Sequence, residues 1–398
     1  MSSILEPEAV DGLTQFRAVP GLIDLAWGHP DPALLPMKEL RTAAERAMDR
    51  YGPDLLAYGN ASGPPPLVDF ICHRLRQTDA RAPTSQEVVI TSGASQGLDL
   101  LATLLLAPGD TVLVDLPTYH LAVRILRDHP VQLVGVSSDA GGIVLDDLIR
   151  VVARLRRRRQ RPRFLYTIPT FHNPTGRSLA AERRAELVAF AAREEVLIVE
   201  DDTYRELSYD GPAPASLWAL DQAECVIRLG SFAKSVAPGL RVGYVTAGTG
   251  IVARMVTGGL LDSGGGISHF AATVLAEYAA AGDYERQVDR LRAAYHERRD
   301  RLLQSLADHM PEGVSWSRPA GGYFVWLLLA EGVSAEKLLP IARGGGIGFV
   351  PAHAFFLDRR GSPEALRLAF SMYPPAMLDE AGVRLASSIA SQIPESGK

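Results

Sequence analysis

The chain has 398 residues, of which 47% are hydrophobic and 22% charged, and its formal net charge at pH 7 is −5. This composition excludes collagen-like and disordered proteins, and the acidic balance gives no general attraction to nucleic acid or anionic membranes. Two cysteines, Cys72 and Cys225, are too few for a disulfide framework or a structural zinc site. Residues 1–10 lack the pattern of a signal peptide, and no apolar run approaches the ~20 residues that span a bilayer. We therefore expect a cytoplasmic protein without a membrane partner.

The middle of the chain alternates short apolar runs with helical patterns. The runs are rich in β-branched residues and mostly do not alternate with polar ones, which is typical of strands buried on both faces. Helical patterns at 96–106 and 179–195 lie between them. This alternation predicts an α/β fold with a mainly parallel, seven-stranded sheet between helices. The seven runs are residues 87–91, 111–115, 131–136, 163–169, 196–200, 225–230 and 242–247.

The two ends of the chain have a different pattern. A helix is predicted at 37–51 and a long charged helix at about 284–309, followed by strand candidates at 323–329 and 365–371. We expect these parts to form a smaller α+β domain beside the central sheet. The predicted boundaries are 1–60 for an N-terminal arm and part of the small domain, 61–283 for the large domain, and 284–398 for the C-terminal small domain.

Residues 154–163 (RLRRRRQRPR) form a run of basic residues. Such a run can bind nucleic acid or form a solvated connection between two elements. No aromatic side chains lie among the arginines for base stacking, and the chain as a whole is acidic. The solvated connection is therefore favoured, and we expect no nucleic-acid partner.

Residues 93–97 (GASQG) match the G-x-S-x-G turn that carries the nucleophile of α/β-hydrolases. A strand precedes this segment and a helix follows it, and Asp202 and His353 would complete the order serine, aspartate, histidine. The same segment also suits a loop whose N–H groups bind a phosphate at the N-terminus of a helix. The pattern by itself leaves both interpretations open.

Polar side chains follow three of the predicted strands, and ligands of such sheets bind at the carboxyl ends of the strands. Lys234 carries an amine that can form a Schiff base with an aldehyde. Asp201 carries a carboxylate that can keep a pyridine nitrogen protonated, which makes the ring an electron sink. The whole group suits an aromatic aldehyde cofactor with a ring nitrogen and a phosphate, and a hydrolase does not need it. Its other members are Asn173, Tyr204, Ser231 and Arg241.

Several longer motifs surround these residues: TSGASQGLDL, LPTYH, FHNPTG, EDDTY, SFAKSVAPGLRVGY, PAGGYFVW and LRLAFS. In this order they resemble the class I/II aminotransferases of fold type I, which use pyridoxal 5′-phosphate (PLP). Within that family the chain is most similar to the 2-aminoadipate and kynurenine aminotransferase subgroup. The resemblance covers nearly the whole chain and implies the fold of a fold-type I PLP-transferase, with residues 61–283 as its PLP-binding domain.

The resemblance also implies roles at the cofactor. Lys234 is expected to form the internal aldimine with PLP and then to move a proton between the substrate α-carbon and the cofactor. Asp201 is expected to bond the pyridine nitrogen and Tyr204 the phenolate oxygen, so these three residues are the expected catalytic ones. The remaining cofactor-binding residues are expected to be Ala94, Ser95, Gln96, Tyr119, Asn173, Ser231, Arg241 and Tyr58, the last at the phosphate of a neighbouring subunit.

Substrate binding and assembly follow from the same resemblance. Arg367 is expected to clamp the substrate α-carboxylate, since a guanidinium matches that planar anion with two parallel hydrogen bonds. Gly28 and Asn173 are expected to assist it. The match at Tyr58 implies a homodimer with shared active sites, and no metal site is expected.

The function that the resemblance implies is that of a PLP-dependent aminotransferase in amino acid metabolism, including biosynthesis. Such an enzyme moves an amino group between an L-amino acid and a 2-oxo acid by a ping-pong mechanism. Related scaffolds catalyse other reactions, so a β-lyase, decarboxylase or oxidase of an amino acid stays an alternative, and a hydrolase using Ser95 is less favoured. The donor amino acid and the roles of His29, His353 and the loop at 264–266 stay open.

Overall fold

The computed structural model describes residues 19–79, 81–358 and 361–393. Its helices are α1 (Met37–Tyr51), α2 (Pro65–Asp79), α3 (Ala94–Leu105), α4 (His120–Arg127), α5 (Leu145–Arg157), α6 (Ala181–Glu194), α7 (Leu217–Leu220), α8 (Thr249–Val256), α9 (Gly259–Asp262), α10 (His269–Ala280), α11 (Asp283–His309), α12 (Ala335–Gly344) and α13 (Pro375–Ala390). Its strands are β1 (Ile23–Asp24), β2 (Val88–Thr91), β3 (Thr111–Leu116), β4 (Gln132–Asp139), β5 (Gly142–Ile143), β6 (Pro162–Thr167), β7 (Leu197–Asp201), β8 (Val226–Ser231), β9 (Gly243–Thr246), β10 (Ser315–Trp316), β11 (Phe324–Leu328), β12 (Ile347–Gly348), β13 (Val350–Pro351) and β14 (Ala365–Ala369).

The central sheet contains the seven predicted strands in the order β2-β9-β8-β7-β6-β3-β4, and β5 extends it beyond β4. Strands β3, β4, β6, β7 and β8 pair in parallel. Strand β9 is antiparallel to β8, and β2 is antiparallel to β9. Since two reversals restore the direction, β2 also runs with the parallel strands. The carboxyl ends of β2, β3, β6, β7 and β8 therefore meet at one edge of the sheet.

All seven predicted strands are present, and the sheet has an eighth, short strand that was not predicted. Strand β5 has two residues and pairs antiparallel with Ser138 and Asp139 at the end of β4. A strand of two residues is too short for a hydrophobic pattern, so the sequence contains no sign of it. The chain reverses between β4 and β5 with the help of Gly142, whose φ of 95° is readily adopted only by glycine.

Helices cover both faces of the sheet because its strands are apolar on both. Every residue of β2 is buried, and so are the first five of β3. One face packs against α3 and α4 through side chains such as Leu98 and Leu126. The other face packs against α5 and α6 through Leu148 and Leu187. Each large apolar side chain that becomes fully buried contributes roughly 1.5–3 kcal/mol to the free energy of unfolding. These two layers therefore hold the strand ends in fixed places.

The arginine-rich segment at 154–163 forms the last turn of α5 and the connection into β6. Three of its arginines pair with acidic side chains: Arg156 with Glu194 at 2.5 Å, Arg161 with Glu195 at 3.7 Å, and Arg163 with Asp110 at 3.1 Å. Basic residues at the C-terminal turn of a helix also interact favourably with its dipole. The segment is thus a solvated connection, as the sequence favoured.

A second, four-stranded antiparallel sheet has the order β10-β11-β14-β13 and packs with α11, α12 and α13. Both chain ends contribute to this part, since Ile23 of β1 pairs with Ile347 of β12. In the register of β11 and β14, Trp326 lies opposite Arg367. The predicted boundaries at residues 60 and 283 stay predictions.

Two general properties bear on function. Among the helices of the described ranges, none combines the length and apolar character needed to cross a membrane. The described residues also contain no group of three or more side chains arranged to hold a metal ion.

Candidate active site

A cavity of about 420 Å³ opens at the carboxyl ends of β3, β6, β7 and β8. Open α/β sheets bind their ligands at this edge. The cavity brings together most of the site residues predicted from the sequence and leaves out Gln96 and Tyr58. Those that line it are Gly28, Ala94, Ser95, Tyr119, Asn173, Asp201, Tyr204, Ser231, Lys234, Arg241 and Arg367.

Lys234 lies in the loop just beyond β8. Its Nζ donates a hydrogen bond of 2.9 Å to the carbonyl oxygen of Gly28. The same nitrogen lies 5.8 Å from the ring centre of Tyr204 and 5.5 Å from that of Tyr323. Burial, with a further contribution from the charge of Arg367, lowers the pKa of Lys234 from 10.5 to about 8. An amine with this pKa is partly neutral near physiological pH, as a nucleophile and proton carrier must be.

Asp201 is the last residue of β7 and faces the cavity. One carboxylate oxygen accepts a hydrogen bond of 2.7 Å from the hydroxyl of Tyr166, and the other accepts one of 2.5 Å from the hydroxyl of Thr203. Burial raises the pKa of Asp201 above its ordinary value, whereas these hydrogen bonds lower it. A carboxylate has about four acceptor sites, so Asp201 can still accept a hydrogen bond from a protonated ring nitrogen.

The next residue, Asp202, is buried and lies 2.7 Å from the guanidinium of Arg228, which also pairs with Asp79 at 3.0 Å. Asp202 does not line the cavity, so the two adjacent aspartates have different surroundings. This matters for the hydrolase interpretation, which needs Ser95, Asp202 and His353 together. Of these three, only Ser95 lines the cavity. The geometry therefore does not support a serine nucleophile at this site.

Tyr204 and Tyr119 line the cavity from two different segments. Tyr204 is buried, with its ring centre 5.7 Å from that of Phe324, and burial raises its pKa well above the ordinary value. Burial and the charge of Asp201 raise the pKa of Tyr119 to about 12. Both hydroxyls therefore stay protonated at pH 7 and can donate hydrogen bonds.

Helix α3 begins at the cavity without a side-chain cap. Its N-cap is Gly93 at φ +89°, and a Cβ at that position would lie 2.5 Å from the guanidinium of Arg241. Ala94 and Ser95 line the cavity, and the unpaired N–H groups of a first helical turn attract anions. Arg241 adds a positive charge and donates a hydrogen bond of 3.1 Å to the carbonyl oxygen of Ser92. This end of the cavity is suited to a phosphate.

Two predicted site residues lie outside the cavity lining. Oε1 of Gln96 accepts a hydrogen bond of 2.6 Å from the backbone nitrogen of Ser92, so we expect Gln96 to act on phosphate binding through this loop. Tyr58 is 89% exposed, and a Cβ on Gly264 would lie within 2.7 Å of its ring. The loop at 264–266 also contacts the phosphate end, since the hydroxyl of Ser92 donates to the carbonyl oxygen of Gly266 at 3.0 Å. The predicted contact of Tyr58 with a neighbouring subunit stays a prediction.

Arg367 reaches the opposite end of the cavity from β14 and is 4% exposed. One terminal nitrogen donates a hydrogen bond of 3.0 Å to Oδ1 of Asn173, and the other donates one of 2.6 Å to the carbonyl oxygen of Ala26. The guanidinium lies 4.4 Å from the ring centre of Phe324 and 4.9 Å from that of Phe355. Burial lowers the pKa of Arg367 to about 10, so it is charged at pH 7. Its Nε is buried without a hydrogen-bond partner among the described residues, which suits it to a carboxylate.

Other residues that line the cavity include His29, whose role the sequence leaves open, and Trp27, His120 and Tyr166, to which the sequence assigns no role. Burial, with the charge of Arg367 contributing, lowers the pKa of both histidines to about 4, so both imidazoles are neutral at pH 7. Tyr166 carries a hydroxyl near the carboxyl end of β6, but so does its neighbour Thr167, so the sequence did not single it out. The only sequence feature that pointed to His120 as a cavity residue was its position directly after Tyr119.

Comparisons with known proteins agree with this arrangement. The sequence model of the family described as aminotransferase class I and II matches residues 20–385. The chain is 32% identical over 383 residues to 2-aminoadipate transaminase of Thermus thermophilus, covering 95% of this chain and 91% of the relative. It is 30% identical to aromatic-amino-acid aminotransferase 1 of Thermococcus litoralis, covering 94% of this chain and 89% of that one. The structure of Pyrococcus horikoshii kynurenine aminotransferase in complex with PMP is similar, with a TM-score of 0.88, 31% identity and 96% of each chain covered.

These findings confirm the predicted family and subgroup, fold type I and the cofactor PLP. The cavity fits that cofactor on its own geometry. The uncapped start of α3 at Gly93 suits the phosphate, Asp201 suits the ring nitrogen, and the amine of Lys234 suits the aldehyde. The unpaired Nε of Arg367 leaves a site for the carboxylate of an amino acid.

Proposed function

The chain belongs to the class I and II aminotransferase family and uses PLP, and we propose that its cavity transfers the amino group of an L-amino acid to a 2-oxo acid by means of Lys234, Asp201 and Arg367. One observation carries this assignment of roles. An amine with a lowered pKa, a buried carboxylate and a buried arginine with an unpaired Nε line the same cavity. The amine suits the aldehyde of the cofactor, the carboxylate suits its ring nitrogen, and the arginine suits the carboxylate of the substrate.

Asp201, Tyr204 and Asn173 hold the cofactor ring in this proposal. When bound, PLP supplies an aldehyde that exchanges amines and a pyridinium ring that withdraws electrons from the substrate α-carbon. Asp201 keeps the ring nitrogen protonated, and the hydrogen bonds from Tyr166 and Thr203 fix the orientation of its carboxylate. Tyr204 and Asn173 donate hydrogen bonds to the phenolate oxygen, which their protonated hydroxyl and amide groups allow.

Lys234 would hold the cofactor through its aldehyde group, and its amine, once free, would carry the proton of the substrate α-carbon. A neutral amine is needed for both tasks, and burial together with Arg367 provides it by lowering the pKa to about 8. The carbonyl oxygen of Gly28 holds Nζ toward the cavity at 2.9 Å. A Cβ on Gly28 would lie 2.6 Å from the ring of Phe324, so glycine lets this segment come close enough.

Arg367 binds the α-carboxylate of both substrates. Its guanidinium is held in place by Asn173 and by the rings of Phe324 and Phe355, so little conformational entropy is lost when the carboxylate binds. The relatives have aminotransferase names, which supports this reaction over a β-lyase, decarboxylase or oxidase.

The proposal extends to assembly and cellular role. The 89% exposed ring of Tyr58 and the 79% exposed side chain of Leu56 support a homodimer in which Tyr58 reaches the phosphate of the second active site. A cytoplasmic location and a role in amino acid biosynthesis complete the proposal, and both are supported only by the resemblance to the aminotransferases.

A titration of the PLP-loaded protein tests the proposed reaction. Amino acids are added one at a time, and the visible absorbance of the bound cofactor is followed. A productive donor should convert the absorbance of the aldehyde form to that of the amine form and release one 2-oxo acid per site. Adding a second 2-oxo acid should reverse the change, because each half-reaction is complete on its own. Turnover of an amino acid without formation of the amine form would contradict transamination and indicate another PLP-dependent reaction.

A further inference from the structure

Asp115 lies near the end of β3 and is only 3% exposed. Its Oδ1 accepts a hydrogen bond of 3.2 Å from the hydroxyl of Thr118, and its Oδ2 accepts one of 2.7 Å from the hydroxyl of Thr167. Moving a carboxylate from water into the protein interior costs free energy, so the contacts that Asp115 makes there must offset this cost.

His172 faces the same carboxylate, with its Nε2 at 3.5 Å from Oδ2 of Asp115. The backbone N–H of Thr175 donates to Nδ1 of His172 at 3.4 Å. The hydroxyl of Thr175 also lies 3.0 Å from this nitrogen, so Nδ1 is held by Thr175 while Nε2 faces Asp115. This buried Nε2 has no hydrogen-bond partner within the described ranges, and the carboxylate of Asp115 at 3.5 Å is the polar group that it faces.

Two of the residues held by Asp115 directly precede residues that line the active-site cavity. Thr118 is followed by Tyr119, and His172 is followed by Asn173, whose Oδ1 accepts the hydrogen bond from Arg367. Thr118 and His172 do not themselves line that cavity. A displacement of either segment would therefore move a cavity residue while leaving the polar lining chemically intact.

The third residue, Thr167, follows Tyr166 in β6. The hydroxyl of Tyr166 donates the hydrogen bond of 2.7 Å to Asp201. Asp115 thus connects three segments: the one that carries Tyr119 to the cavity, the one that carries Asn173 to Arg367, and the one that carries Tyr166 to Asp201. It does so without lining the cavity itself.

We propose that Asp115 is a positioning residue. It fixes the positions of the loops of Tyr119 and Asn173 and of the end of β6 around the cofactor. This inference rests on the proposed function, since the three segments matter together only if they surround one cofactor and substrate. Outer groups of this kind act by orienting the groups that touch the ligand, and displacements below 1 Å already reduce reaction rates.

The substitution Asp115→Asn tests the proposal with little change in volume. An asparagine has one acceptor oxygen, one NH2 group and no charge. Its NH2 group therefore either replaces the acceptor at Thr167 and His172 or forces the hydroxyl of Thr118 to accept instead of donate. The matched control is Asp221→Asn. Asp221 is also buried, accepts hydrogen bonds of 2.8 Å from the backbone N–H groups of Ala223 and Val226, and does not line the cavity.

Four properties are measured on both variants: the melting temperature, the Kd of PLP for the cofactor-free protein, the visible circular dichroism of the bound cofactor, and kcat/KM for an amino acid. Both variants should melt at lower temperature, because each loses a buried acceptor. Only Asp115→Asn should weaken PLP binding, change the circular dichroism band and lower kcat/KM about 10- to 100-fold. Equal effects of both variants on all these properties would show that Asp115 acts on stability alone and would overturn the proposal.

Thr118→Val and His172→Gln keep the test decisive if Asp115→Asn does not fold. Each removes one contact of Asp115, and their combined effect on PLP binding should differ from the sum of the single effects, because both act through the same carboxylate. Additive effects, or unchanged PLP affinity in both, would overturn the proposal. A wild-type protein that binds PLP and does not transaminate would instead contradict the proposed function.

Discussion

The two arginines of the cavity have opposite surroundings. Arg241, at the phosphate end, is exposed and hydrogen bonds to the backbone carbonyls of Ser92 and Pro238. Arg367, at the substrate end, is 4% exposed and packs against Phe324 and Phe355. In the proposed function both bring one positive charge to an anion, but only Arg367 does so from buried surroundings.

This difference follows from what each end must bind. The cofactor phosphate can stay bound through many turnovers, and the N–H groups of α3 share its charge with Arg241. The substrate carboxylate arrives and leaves in every half-reaction, so its site must recognise it quickly and in one orientation. A buried, preoriented guanidinium provides that recognition, and charges in a water-poor site interact more strongly than exposed ones.

The largest expected effect is that of Arg367→Ala. Removing one partner of a buried charge pair costs roughly 2–5 kcal/mol, which corresponds to roughly a 30- to 4,000-fold fall in kcat/KM for the amino acid. The fall should appear mainly as a raised KM, and the absorbance of bound PLP should stay unchanged. Arg367→Lys should recover only part of the loss, since an ammonium cannot form two parallel hydrogen bonds to the carboxylate. A lost PLP spectrum with retained amino acid affinity would reverse the assignment of the two ends.

A smaller effect is expected for Arg241→Ala. A hydrogen bond to a charged group contributes about 1.5–3 kcal/mol, so the Kd of PLP should rise roughly 10- to 150-fold. At saturating PLP the kcat/KM for the amino acid should be close to that of the wild type, because the start of α3 still holds the phosphate. Measuring the Kd of PLP and the kcat/KM for the amino acid on the same preparation separates cofactor binding from catalysis. A large fall in kcat/KM at saturating PLP would contradict the difference between the two ends.

Lys234 lines the same cavity as the two arginines, and its lowered pKa makes the stability of the protein depend on pH. In the cofactor-free protein, the charged amine is disfavoured by burial, so the folded chain binds fewer protons than the unfolded chain between pH 8 and 10.5. The penalty is fully present below pH 8 and disappears as the pH rises toward 10.5. The cofactor-free variant Lys234→Met should therefore be more stable than the wild type at pH 7, by on the order of 3 kcal/mol, and nearly equal at pH 10.5.

Urea unfolding of both cofactor-free proteins at the two pH values measures this difference. Other titrating groups cancel in the comparison, since they are common to both chains. A difference in unfolding free energy that does not change with pH would show that the amine of Lys234 keeps its ordinary pKa in the fold.

The sequence predicted the convergence of Lys234, Asp201 and Asn173 because topology alone brings them together. Each follows a strand of one sheet, and the carboxyl ends of parallel strands share an edge. The orientation of single side chains depends on tertiary contacts instead. Gln96 turns back to the nitrogen of Ser92, which its place in a phosphate motif does not reveal.

Contacts across neighbouring strands were equally hidden. The hydrogen bond from Tyr166 to Asp201 depends on the register of β6 and β7, in which Tyr166 lies opposite Val199. Strand order and register follow from the packing of the whole sheet and not from either strand alone. The two-residue strand β5 was missed for a different reason. Its pairing with β4 needs only a turn and two paired residues, and two residues are too few to show a hydrophobic pattern.

The central claim is that Lys234 moves the substrate α-proton in this cavity. The most direct measurement is the loss of label from an amino acid deuterated at its α-carbon, followed by NMR in the presence of PLP-loaded protein. The wild type should release the label into water, whereas Lys234→Ala should still bind PLP and the amino acid but release no label. Added small primary amines should restore part of the rate, since they supply the missing base. Release of label by Lys234→Ala at the wild-type rate would contradict the account.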